Sequence, residues 1–530
     1  IRRPPRSTPK PSSAASDVYK RQVNDWIAQH SMAMPNKLAA IDLASDRKYT
    51  YSEFNERVGR LAGHLQNLGI SKSDRVAYFT FNSTDVIEII FACWRIGAIA
   101  VALNFRLTAK ELKFIIEDSD PKVIFVDTAL GVVWEDVRRQ TSVPNTVMLD
   151  GVGGDTDYEK GIESSIPITD IVEQTFDDQC MLMYSSGTTG RPKGVIITHG
   201  MMLFSASGGM SAGRTTRDCV SLVVMPLFHI AAVNVSCCPM IYMGGSVVVM
   251  RMFDPDTVLT ALGNKNLGIT HIFLVPAAYN ALKDSKLADT TDFSNIISAF
   301  SGAETVPVAL VKWWNKRGIC LQEGWGMTET SGTGCLLLHE DVVEMVGSAG
   351  RPLMGNKIRI VDKNDREVKP NTLGEIQMKG PAVTPGYWNR PEATKESFIN
   401  GWFRTGDIGR KDAKGYIFIE DRLKDMYISG GENVYPAEVE NIIYELKEIK
   451  EVAVIGVPDE VWGEVGCAVV CLNKNQTLTY DQLRNHCSKN LAKFKIPSYL
   501  VEVALLPRSA TGKVLKFELR DTIPARLNHQ

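Results

Sequence analysis

The segment Met183–Gly194, reading MYSSGTTGRPKG, constrains this chain more than any other. Ser185, Ser186, Thr188 and Thr189 supply hydroxyls, Gly187, Gly190 and Gly194 let backbone N–H groups turn inward, and Lys193 adds a positive charge. Such a stretch forms an anion nest suited to a polyphosphate. It is not a Walker loop, because Pro192 stands where the second glycine is required and Lys193 is followed by Gly194. The run Val195–Thr198 reads as a strand. The spacing therefore predicts a loop between two strands, with no helix dipole behind the anion.

Composition narrows the function classes. The 530 residues carry 59 Lys+Arg against 61 Asp+Glu, a net charge of −2. That balance leaves no electrostatic footprint for nucleic acid. Hydrophobic residues at 44% and charged residues at 23% are ordinary globular proportions. The longest apolar stretch, Val86–Leu103, is broken by Glu88 and Arg95. Each charge at a bilayer centre costs roughly 2.5–3.5 kcal/mol, so no transmembrane span is expected and the protein reads as cytoplasmic. The ten cysteines form no CxxC pair and no zinc spacing with the eight histidines. They read as small buried hydrophobes in a reducing compartment.

Residues 1–22 hold six basic side chains against Asp17 alone, with four prolines and no amphipathic period. This segment reads as a disordered or artefactual leader. From 23 to 423, helical and strand-like patterns alternate, as in Phe54, Val58, Leu61 and Leu65 followed by the runs Val123–Val126, Leu222–Met225, Val247–Met250, His271–Val275 and Lys357–Val361. Alternation of this kind predicts an α/β chain with buried sheets. Length and texture together predict a large multi-sheet N-terminal domain and a small α+β C-terminal domain over 424–530. In the latter, Pro436 opens a helix with Val439, Ile442, Ile443 and Leu446 on one face. The charged run Asp421–Asp425 reads as the linker.

The loop at Ser185–Gly194 resembles the phosphate loop of the adenylate-forming superfamily, which includes acyl-CoA synthetases. Further matches follow in that family's order: Gly302-Ala303-Glu304, Gly324-Trp325-Gly326-Met327-Thr328-Glu329, Trp402–Asp407, Asp421–Lys424, Ser429-Gly430-Gly431 and Pro507–Lys513. The resemblance covers essentially everything after residue 22. It implies the adenylate-forming fold with a mobile C-terminal domain, and ATP, Mg²⁺ and coenzyme A as the molecules handled. It also implies roles for single residues. Lys513, Thr188, Glu329 and His229 are the expected catalytic set. Ser185 and Glu329 would hold Mg²⁺, and Thr328 would contact the α-phosphate. Trp325, where the family usually has Tyr, would stack on adenine, while Asp407 and Arg422 would take the ribose. Lys424 would be the hinge that presents Gly430–Gly431 to the thiol tunnel. His229, Val233, Gly326 and Gly332 would border the acid.

Activation of an acid needs no general base, since a carboxyl with a pKa near 4 is already ionised at pH 7. What it needs is to bring two anions together and neutralise the transition state. The expected function is an ATP-dependent acid–CoA ligase acting on a medium- or long-chain fatty acid. The alternatives are an aryl or short substituted propionate such as a methylthiopropionate-like acid, loading of a carrier protein, or non-catalytic nucleotide binding. No carrier domain follows Gln530, which weighs against loading. A small-molecule acid, ATP and CoA are the expected partners, and a homodimer stays open.

Overall fold

The structure, a computed structural model, describes residues 23–185, 192–304, 306–422, 425–429, 432–459, 462–508 and 513–527. The expected leader, 1–22, lies outside them. Among the described residues the chain builds four sheets. One orders strands Asn145–Leu149, Val123–Asp127, Arg75–Phe79, Ile99–Ala102, Gln179–Ser185 and Lys193–Thr198, parallel except for the last pair. That antiparallel pair flanks the Ser/Gly/Thr loop, as the spacing predicts.

A nine-stranded sheet has Leu38–Asp42, Ser246–Val249, Val220–Val223, His271–Leu274, Ser298–Ser301 and Leu321–Trp325 parallel at its centre. The apolar side chains of these central strands are buried except at the starting residues Leu38 and Val220, the usual condition of parallel sheets covered by helices. The helix Thr84–Ile96 is buried along its whole length. Its three charges survive there because each is paired: Arg47 meets Asp85 at 2.8 Å, Arg57 meets Glu88 at 2.7 Å and Arg95 meets Asp25 at 2.7 Å. An uncompensated charge at such a depth would be strongly destabilising. No described helix is long and apolar enough to cross a membrane.

A third, antiparallel sheet holds Lys357–Val361, Gly374–Lys379, Trp402–Lys411, Phe398–Ile399 and Ile417–Arg422. The expected linker begins inside it: Ile408 pairs with Asp421 and Asp407 with Arg422. The ladder satisfies backbone groups that a charged connector would leave to water. The fourth sheet carries the long hairpin Ile449–Asp459 and Gly463–Leu472, with Tyr499–Glu502 added in parallel. The helix Pro436–Ile443 buries Val439 and Ile443, with Ile442 and Leu446 partly buried at its edge. A last helix, Lys516–Leu527, has no counterpart in the sequence reading. It contains Pro524 and buries only Leu519 and Ile523, too few apolar positions to display a period.

These sheets place Ser185, Ser301 and Trp325 at the carboxyl ends of strands, the edge where α/β sheets bind ligands. The C-terminal unit meets that edge through Arg508, whose guanidinium lies 3.2 Å from Glu304.

Candidate active site

A cavity of about 1340 Å³ opens at these strand ends. Its wall takes Ser185 and Lys193 from the two strands flanking the Ser/Gly/Thr loop, together with Gly302, Ala303, Glu304 and Asp407. Trp325, Gly326, Met327, Thr328, Glu329 and Gly332 add the turn beyond Leu321–Trp325, and Lys513 enters from the C-terminal unit. The expected residues Ser186, Gly187, Thr188, Thr189, Gly190, Lys424, Gly430 and Gly431 lie outside the described residues. Arg422 is placed by its strand pairing with Asp407.

The backbone at the cavity rim is tightly specified. A side chain on Gly302 would bring its Cβ within 2.4 Å of the Gly324 carbonyl oxygen. Ala303 holds a left-handed φ of 72°, a conformation that costs a residue with a Cβ roughly 1–2 kcal/mol. Strain of this kind persists where the surroundings over-determine it.

Glu329 is buried, and the Tyr387 hydroxyl donates to its Oε1 at 3.0 Å. Burial, then the Glu329 charge, pushes the Tyr387 phenol up, so it stays protonated and keeps donating. The Lys193 ammonium lies 5.2 Å from the centre of the Tyr387 ring, within cation–π range. Tyr387 is absent from the sequence reading, and the turn Pro385-Gly386-Tyr387 was the signal that could have found it. Glu329 and Ser185 bring hard oxygen donors to one cavity. Among the described residues no group of three or more His, Cys, Asp or Glu forms a metal cage. One carboxylate with a hydroxyl fits Mg²⁺ that completes its shell with phosphate oxygens and water.

Asp407 is oriented by the indole of Trp325, which donates from Nε1 to Oδ2 at 2.8 Å. The Thr405 hydroxyl accepts from the Asp407 backbone N–H at 3.1 Å. Trp325 therefore fixes the carboxylate as well as presenting a flat face to the cavity.

Burial, reinforced by the Lys513 charge, pushes the His229 imidazole down to about 4. The Ala231 backbone N–H donates to Nδ1 at 3.3 Å, so the neutral ring carries its hydrogen on Nε2. Glu304 is raised by burial, with Arg508 and then Lys513 opposing. Arg508 also meets Glu451 at 3.0 Å, so one guanidinium holds two carboxylates from two parts of the chain.

The resemblance places Val233 beside the acid. It is buried in the apolar core and is not among the residues that line the cavity. Residues Ala232–Cys237 wind as a π-helix, with the Cys238 N–H bonded to the Val233 carbonyl. Val233 is still bonded to the His229 carbonyl at 3.2 Å as in an α turn, and the wider turn sets the facing of the positions after it. Ile230, Ala231, Asn234 and Val235 line the cavity, as do Phe273 and Phe300.

The model of the AMP-binding enzyme family matches residues 27–388, and that of the AMP-binding enzyme C-terminal domain matches 438–513. A long-chain-fatty-acid–CoA ligase, FadD13 of Mycobacterium tuberculosis, is 37% identical over 508 residues, 95% of this chain and 99% of its own. A feruloyl-CoA synthase of an Amycolatopsis species is 38% identical over 473 residues, 89% of this chain and 93% of its own. The ATP-bound crystal structure of MatB from Rhodopseudomonas palustris superposes with a TM-score of 0.87 at 31% identity, covering 94% of this chain and 98% of that one. The chain belongs to the AMP-binding enzyme family and is an AMP-forming acid–thiol ligase of the adenylate-forming superfamily.

Proposed function

We propose that this ligase couples a carboxylic acid with an apolar tail, fatty or aryl, to coenzyme A in two steps at one cavity. In the first, a carboxylate oxygen bonds to the α-phosphorus of ATP and the bond to pyrophosphate breaks. In the second, the CoA sulfur bonds to the acyl carbon, its proton goes to solvent, and AMP leaves. A carboxylate needs no activation, whereas a thiol is an effective nucleophile even when weakly ionised.

The observation that carries this reading is the meeting of Lys513 with Ser185, Lys193, Trp325, Glu329 and Asp407 around one cavity. Lys513 and Lys193 offer positive charge where two anions converge, which is the stabilisation such a step requires. Asp407, held by Trp325, suits a ribose diol. His229, neutral with hydrogen on Nε2, offers the acid's carboxylate a donor at its entrance. Mg²⁺, held by Glu329 and Ser185, would neutralise phosphate charge. The ten free thiols, nine of them buried, suit a reducing cytoplasmic setting. AMP release, measured with a panel of acids with and without CoA, tests the reading. Acid-dependent AMP formation that requires CoA supports it, and nucleotide binding without turnover would overturn it.

A further inference from the structure

The helix His199–Gly213 contains four glycines, Gly200, Gly208, Gly209 and Gly213. A Cβ on Gly200 would lie 2.9 Å from the Phe176 carbonyl oxygen. On Gly208 it would lie 2.8 Å from Leu353, and on Gly213 2.8 Å from the Phe300 ring. Those three are glycine because neighbours press on them. Gly209 is different: a Cβ there meets nothing within 4 Å, and the residue lines the cavity.

Glycine in a helix interior weakens the helix, and neither a positive φ nor a close contact calls for it at this position. Its placement shows what the gap adjoins. One turn before it, the Ser205 hydroxyl donates to the Ser331 carbonyl beside Gly332. Three residues after it, Ala212 packs with Phe273, Phe300 and Leu336. Gly209 thus presents bare helix backbone to the acyl side of the cavity, between Ser331 and the Phe273–Phe300 wall.

We propose that Gly209 is a specificity-determining residue that keeps this chamber wide and flat for an acid whose tail carries a ring. The proposal rests on the acid–CoA ligase reading above. A straight alkyl chain would leave the bare strip without contacts, and a void forfeits dispersion energy. A ring can lie on the glycine backbone and meet the aromatic wall edge-on.

The test compares 3-phenylpropanoate with nonanoate, acids of equal carbon number, in the wild type, Gly209→Ala and Gly209→Leu. The readouts are kcat/KM for CoA-dependent AMP formation and the melting temperature. The wild type should prefer the ring acid. Gly209→Leu should lose roughly 10–200-fold on it, the range for added bulk in an apolar pocket, and far less on nonanoate. Gly209→Ala should raise the melting temperature by about 1–3 °C while lowering kcat/KM for the ring acid, a trade a merely structural glycine would not make. Should Gly209→Leu fail to fold, the Ala variant decides by its acid ratio. A wild-type preference for nonanoate, or variants that slow both acids alike, would overturn the proposal while leaving the ligase reading intact. No AMP formation with any acid in the wild type would overturn the ligase reading itself, and the proposal with it.

Discussion

Burial pushes the Glu323 carboxyl up to about 8, with the Val306 backbone N–H opposing. A carboxyl raised in the folded state binds its proton more tightly there than in the unfolded chain. Its stabilising effect is complete below the unfolded pKa and is lost as pH rises through about 8. Glu323→Gln keeps the shape and removes the ionisation. Thermal melting from pH 4 to 9 should show the wild type losing stability from about pH 5 up to about pH 8 and levelling above it, with the Gln variant nearly flat across that window. Parallel curves for the two proteins would show that Glu323 does not set the slope. At this scale the sequence was legible where a residue sits inside a motif, as with Asp407, Glu329 and Lys513. It was silent on Tyr387, whose bond to Glu329 spans 58 positions, and on the latch between Arg508 and Glu304, which spans 204. Arg508 lies in a recognised motif, yet no local pattern says which carboxylate it will meet.

Elements were legible where periodicity was strong, and the sequence carries no sign of where a helix departs from the α repeat. The buried runs of the parallel strands and the face of Pro436–Ile443 follow directly from apolar spacing. Four residues on from His229 the chain still makes an α turn, the Val233 N–H donating to the His229 carbonyl at 3.2 Å, and the π-helix Ala232–Cys237 sets the facing of the positions after it. This predicts a split between neighbours. Val233→Trp overpacks the core and should lower stability by about 1–3 kcal/mol with little change in acid preference. Val235→Trp projects into the cavity and should shift preference toward smaller acids with a smaller loss of stability. Denaturation and acid-panel kinetics on both variants check this, and a selectivity change at Val233 alone would contradict the wall described above.

At the scale of the whole molecule, the C-terminal unit contributes both a cation to the cavity and a clamp that holds it there. Arg508 is the clamp: it bridges Glu304 and Glu451. A double-mutant cycle on adenylation with Arg508→Ala and Glu304→Gln should give a coupling of about 0.5–3 kcal/mol, the range for contacting pairs. Independent effects would mean that the pair does not hold the closed arrangement. Lys513 is the cation. If it serves only adenylation, Lys513→Ala should slow acyl-AMP formation by about 10²–10³, by analogy with losing one pre-placed donor. Thioester formation from supplied acyl-AMP and CoA should then change little, because that step does not join two anions. Gly430→Leu, on the turn expected to face the thiol, should do the reverse. Single-turnover kinetics of each half-reaction separate these outcomes. Since Lys513 acts here through a cavity it shares with the N-terminal sheets, equal slowing of both steps in both variants would require one fixed arrangement to perform both reactions, and alternation of the C-terminal unit would have to be abandoned.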